Sequence, residues 1–155
     1  MHKFLIGLLL LLAACTTDRV DENELLRQRE DQAIQDYLQA NDLTAQKQPE
    51  GFYYRVLQEG TGTTRPKAGD KVIVHYEGRL LDGKRFDSSR LRGETFSFVV
   101  ESREVILGWD LALPLMRKGE IAEFYIPSYL AYGTRGQGPI PPSTILVFEI
   151  ELIEF

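Results

Sequence analysis

Val72-Ile73-Val74-His75-Tyr76-Glu77, running on through Gly78-Arg79-Leu80-Leu81 to Asp82-Gly83-Lys84-Arg85-Phe86-Asp87, is the stretch that decides the fold. Side chains of an extended chain point alternately to opposite faces, so Val72, Val74 and Tyr76 share one side and Ile73, His75 and Glu77 the other. Asp82-Gly83 is a tight-turn dipeptide, which predicts that the chain doubles back as an antiparallel hairpin. Working outward, the alternation returns in Phe96, Phe98 and Val100, and again where Ala122, Phe124 and Ile126 alternate with Ile121, Glu123 and Tyr125. Leu146, Phe148, Ile150 and Leu152 alternate with Glu149 and Glu151. Such segments predict strands with one packed face and one largely wet face, punctuated by Gly and Pro clusters. One helix-sized stretch lies among them, Val105 to Leu113, and Pro114 is expected to end it because a residue before proline avoids helical geometry. The fold class is therefore α+β: a twisted antiparallel β-sheet, a half-barrel, wrapped around one short α-helix.

Upstream of Gly51 the texture changes. Thr16 to Glu24 is polar and acid-rich, and Glu22 to Asn41 carries Leu26, Ala33, Ile34, Tyr37 and Leu38 at helical spacing, with Glu30 interrupting the apolar stripe. This predicts one N-terminal helix, serving as a spacer of about 30 Å or lying on the domain. Pairing with a second copy is the alternative use of such a helix.

The 155 residues include 43% hydrophobic and 26% charged side chains, the composition of an ordinary globular domain rather than a disordered or fibrous chain. A net charge of −5 offers no bulk attraction to phosphate backbones, so no nucleic-acid partner is expected. Phe4 to Ala14 is an apolar run of eleven residues behind Lys3, well short of the roughly 20 that span a bilayer, and it reads as an export signal. Cys15 is the single cysteine, which rules out an internal disulfide and a thiolate zinc site. The boundary Leu12-Ala13-Ala14-Cys15 resembles a bacterial lipoprotein signal, in which the cysteine becomes the acylated first residue. That resemblance implies attachment to a membrane by a lipid anchor at Cys15 and residence in the bacterial cell envelope, at the outer membrane and periplasm. The expected organisation is residues 1–14 as signal, 15–50 as tether and short helix, and 51–155 as the working domain.

The usual catalytic signatures are missing. There is no Gly-x-Ser-x-Gly elbow and no His-Glu-x-x-His, and Gly60-Thr61-Gly62-Thr63-Thr64 lacks the Lys that a phosphate-cradling loop requires. His75 reads as structural or surface, and Glu149 with Glu151 as a solvated face. Neither a metal nor a cofactor is expected. What stands out is aromatic residues flanking turns, namely Tyr76, Phe86, Phe96, Phe98, Trp109, Phe124, Tyr132 and Phe148, with Asp87 beside Phe86. Most aromatics in a small domain are simply core.

Several stretches together carry a closer resemblance. Val74-His75-Tyr76, Asp82-Gly83-Lys84-Arg85-Phe86-Asp87-Ser88-Ser89-Arg90, Glu104-Val105-Ile106-Leu107-Gly108-Trp109, Ala131-Tyr132-Gly133, and Ile140-Pro141-Pro142 before Leu146-Val147-Phe148 resemble the FKBP family of peptidyl-prolyl cis-trans isomerases, in order and in spacing. The resemblance implies an isomerase of X-Pro bonds whose catalytic residues are Tyr76, Phe86, Asp87, Trp109, Tyr132 and Phe148. It implies substrate contacts from Phe96, Val105, Ile106 and Ile140, with the Trp109 indole as floor and Tyr76 holding Asp87. It further implies that the loop from Gly133 to Ser143 overhangs the pocket, and that proline-containing exported polypeptides and macrolide inhibitors are its partners. A noncatalytic peptide-binding chaperone, or an adaptor in an envelope assembly, is the alternative use of the same groove.

Overall fold

The computed structural model describes residues 21–155; the expected signal and Cys15 lie outside the described residues. Helix α1 spans Glu22–Ala40. Asp21 caps its start, accepting the Asn23 N–H at 3.0 Å, and Glu22 and Glu24 place negative charge where the first turn exposes its N–H groups. The chain leaves the helix through Asp42 at φ 57°, and the Leu43 N–H returns to the Leu38 carbonyl at 2.9 Å. Among the described residues no helix is long and apolar enough to cross a membrane.

Seven strands follow: β1 (Gln46–Lys47), β2 (Tyr53–Gln58), β3 (Lys71–Leu80), β4 (Arg85–Ser88), β5 (Phe96–Val99), β6 (Ile121–Ile126) and β7 (Leu146–Glu154). They form one open antiparallel sheet in the order β1-β2-β6-β7-β3-β4, with β5 also on β3. The β3–β4 hairpin turns at Gly83, whose φ of 85° is the left-handed geometry the Asp-Gly signal predicts. Val72, Val74 and Tyr76 are buried on the inner face, against the short helix α3 (Leu107–Ala112). The α+β half-barrel around one short helix is thus the observed architecture.

Some expectations change, and one open alternative is decided. The sheet takes in Gln46–Lys47, so Gly51 is not a structural boundary. Pro114 does not stop the chain from coiling: Leu113 stays helical at φ −60° and ψ −36°, and Leu113–Leu115 form a 3-10 turn. Proline is tolerated there because the first N–H groups of a new turn lack partners anyway. Of the two uses expected for it, helix α1 takes the second and lies on the domain, where Ile34 and Leu38 pack against Tyr53, Tyr125, Ile145 and Val147 on the outer face of the sheet. That face is therefore not uniformly wet. Glu123 is buried there and its carboxylate is met by Arg55 at 3.0 Å, Arg79 at 2.5 Å and the Tyr125 hydroxyl at 2.6 Å. Glu30, which breaks the apolar stripe by sequence, is buried as well. It accepts the Ser128 N–H at 2.8 Å and the Ser128 hydroxyl at 2.5 Å.

Candidate active site

One edge of β3 is divided between two partners. β5 pairs with Lys71–Val74 and β4 with Glu77–Arg79, which leaves Tyr76 between them. Ser89, at the start of the four-residue helix α2 (Ser89–Arg92), fills that gap: the Tyr76 N–H donates to Ser89 Oγ at 2.8 Å. Seating α2 there brings the groups at its two ends onto the Tyr76 side chain. The Tyr76 hydroxyl donates to Asp87 Oδ2 at 2.5 Å, Arg92 Nη2 donates to the Tyr76 oxygen at 3.0 Å, and Arg92 Nη1 closes the triangle on Asp87 Oδ1. Ser89 and Arg92, which the sequence reading did not single out, are thus the hydrogen-bond partners of Tyr76 and Asp87. His75 Nδ1 lies 3.0 Å from Ser89 Oγ, a structural position.

Beneath this triangle the aromatic rings close on one another. Trp109, 4% exposed, is framed edge-on by Tyr76 at 5.0 Å, Phe148 at 5.2 Å and Phe96 at 5.9 Å between centroids. Such edge-to-face pairs hold rings at fixed angles better than apolar contact alone. Phe86 meets Phe148 at 5.6 Å and 86°. Gly78 makes that contact possible, because a Cβ there would stand 2.6 Å from two Phe86 ring atoms and 2.8 Å from Phe148. The indole N–H of Trp109 has no hydrogen-bond partner among the described residues.

The rings and rim enclose an open cavity of about 170 Å³. That is more than ten times the roughly 15 Å³ that admits one water, and enough for a five-membered ring with flanking atoms. Its lining comprises Tyr76, Phe86, Asp87, Phe96, Val105, Ile106, Trp109, Tyr132 and Phe148, all of which the resemblance pointed to, together with Glu104. Glu104 went unweighted because an exposed acid beside a turn looks like any surface acid. Ile140, expected as a substrate contact, is not among the residues that line the cavity. It is buried in the core, and no residue of the 133–143 loop lines the cavity.

The polar rim is in fixed protonation states at neutral pH. Burial pushes the Asp87 carboxyl up, but hydrogen bonds from Tyr76 and Arg92 outweigh it and hold the group below its ordinary value, so it is an anion. Burial, reinforced by the neighbouring Asp87, raises both the Tyr76 and the Tyr132 hydroxyls. Both phenols keep their protons and can donate. The arrangement offers no nucleophile and no proton relay. It offers an aromatic floor and a few polar groups at the edge.

Comparison with known proteins agrees with this geometry. The family model for FKBP-type peptidyl-prolyl cis-trans isomerase matches residues 62–153. The chain is 49% identical over 110 residues to the human peptidyl-prolyl cis-trans isomerase FKBP4, covering 70% of this chain but 24% of that protein. It is 48% identical over 99 residues to FK506-binding protein 1 of Debaryomyces hansenii, covering 63% of this chain and 88% of the relative. Among solved structures, FkpA from Escherichia coli superposes with a TM-score of 0.71 at 36% identity, over 84% of this chain and 61% of that one. AtFKBP13 gives 0.68 at 36% identity, over 72% and 98%. The chain thus spans about a quarter of the length of the human relative.

Proposed function

The chain belongs to the FKBP-type peptidyl-prolyl cis-trans isomerase family, and from that premise we propose that it accelerates X-Pro bond rotation in exported proteins from a lipid-anchored position in the cell envelope. The observation that carries the catalytic reading is the open aromatic cavity over Trp109, rimmed by the Tyr76–Asp87–Arg92 triangle.

The chemistry follows from what the cavity lacks as much as from what it has. Resonance gives the peptide C–N bond partial double-bond character and a rotational barrier of about 18–20 kcal/mol. Uncatalysed exchange before proline takes on the order of tens to hundreds of seconds, slow enough to delay folding. At the twisted transition state the resonance is lost and the charge separation between oxygen and nitrogen shrinks. An apolar cavity therefore disfavours the planar, more polar ground state more than the twisted one, and the barrier falls without proton transfer. Trp109 receives the proline ring, while Phe86, Phe96 and Phe148 keep water away. In this reading the Tyr132 hydroxyl and the Ile106 backbone N–H hold the flanking carbonyls, the roles that the family resemblance implies for them. A thousandfold acceleration asks only about 4 kcal/mol of this difference.

The direct test is a protease-coupled assay on a short proline peptide, repeated with a macrolide while Trp109 fluorescence is followed. Acceleration that the macrolide abolishes supports the reading, and binding without acceleration points to the noncatalytic chaperone or adaptor. Macrolide binding is proposed because a relative is named for binding FK506. The lipid anchor rests on the Leu12-Ala13-Ala14-Cys15 boundary and the short apolar run before it. One acylated residue carrying several chains tethers a protein firmly, at about 0.8 kcal/mol per buried CH₂. Cys15→Ser is expected to leave isomerisation intact and release the protein from membranes; retention in the membrane fraction refutes lipidation.

A further inference from the structure

Helix α1 precedes the 62–153 stretch that defines the family, yet it is bonded to the turn that delivers Tyr132 to the cavity. The link is Glu30. The residue is 5% exposed, and its carboxylate has no Lys, Arg or His within 4.0 Å among the described residues; it accepts the Ser128 N–H at 2.8 Å and the Ser128 hydroxyl at 2.5 Å. Burying a carboxylate without a cation is unfavourable, and an apolar residue here would complete the helix's stripe. The position therefore exchanges packing for a directional hold on one residue.

Ser128 in turn governs the backbone on both sides of Tyr132. Its carbonyl accepts the Ala131 N–H at 2.9 Å and the Gly133 N–H at 2.8 Å, the two amides that flank the tyrosine. The Gly133 carbonyl accepts the Ser143 N–H at 2.8 Å, closing the base of the following loop. One residue further, the Arg27 guanidinium lies 4.0 Å over the Tyr129 ring. Residues 27 and 30 share one face of α1, so the helix grips two consecutive residues of the Ser128–Leu130 turn. Tyr132 is the rim hydroxyl with no protein partner of its own among the described residues, and its backbone is what this hold fixes.

We propose that Glu30 is a positioning residue for the isomerase site: the N-terminal helix, acting through Ser128, sets the place of the Tyr132 hydroxyl at the cavity rim. The inference rests on the isomerase reading above. Releasing Ser128 lets the 128–133 turn leave its binding-competent arrangement, and apparent affinity falls by the fraction of time it is away. The rim hydroxyl holds substrate in the ground state and transition state alike, so the loss falls on KM and leaves kcat largely unchanged.

The test uses the full chain and a double-mutant cycle between Glu30→Ala and Tyr132→Phe. Glu30→Ala is expected to raise KM for a proline peptide by about three- to tenfold and to speed amide exchange at Ala131 and Gly133. Glu30→Gln is expected to restore most of both, because its amide oxygen still accepts the Ser128 N–H. In the Tyr132→Phe background, Glu30→Ala is expected to add less than about twofold. Equal KM losses in both backgrounds, or unchanged exchange at Ala131 and Gly133, overturn the proposal. If Glu30→Ala does not fold, Ser128→Ala, which removes only the hydroxyl bond, carries the same cycle, and additivity there overturns it equally. An inactive wild type defeats the isomerase reading alone, since amide exchange still reports whether Glu30 holds the turn.

Discussion

Replacing Asp87 by valine, Asp87→Val, separates the polar rim from the rings beneath it. In the native arrangement Asp87 accepts the Tyr76 hydroxyl at 2.5 Å and pairs with Arg92, so its loss frees the Tyr76 side chain that stands edge-on to Trp109. Hydrogen bonds to a charged group contribute about 1.5–3 kcal/mol. The Asp87 side chain is 39% exposed, and solvent screening reduces that to about 1–1.5 kcal/mol. With about 1.4 kcal/mol per factor of ten, kcat/KM in the peptide assay is expected to fall by about five- to tenfold. The same loss, partly offset by the apolar valine, is expected to lower Tm by no more than about 4 °C. Trp109 fluorescence is expected to stay that of a buried indole. Activity within twofold of wild type refutes the role given to the triangle. A Tm fall beyond about 10 °C refutes it differently, by making the effect one of folding.

Phe86→Ala opens the cavity wall beside Phe148 to water, and is expected to reduce kcat/KM by about tenfold with little change in Tm, since Phe86 is only half-buried; a fully active variant, measured in the same assay, refutes the desolvation mechanism. Gly78→Ala drives a methyl group into the Phe86 and Phe148 rings, and is expected to destabilise by about 1–3 kcal/mol in urea unfolding; unchanged stability shows that the rings can part without cost. The folded Asp87 carboxyl lies below its ordinary value of 3.8, so its contribution is complete above that value and is lost as pH falls through the lower, folded one. The Tm difference between wild type and Asp87→Asn is therefore expected to be constant from pH 7 to about 5 and to shrink only under strong acid; a difference that fades already near neutrality contradicts the hydrogen-bonded anion.

Much of this molecule was legible in its residue order. Alternation in Val72–Tyr76 and Leu146–Leu152, with the Asp82-Gly83 turn, determined the strands and their inward faces, because a period of two is a property of the extended chain itself. The family resemblance that the motifs carry marked nine of the ten residues that line the cavity. Tertiary structure alone decided the rest. Glu30 and Ser128 are 98 residues apart, and nothing in either neighbourhood distinguishes a buried carboxylate from a break in an apolar stripe. Ser89 matters because β3 has a gap between two partners, and Glu123 because two arginines from other strands meet it. Ile140, expected as a substrate contact, is buried in the core. Periodicity records which way a side chain points from its own backbone, whereas what it meets there is set by elements whose arrival depends on the whole chain having folded.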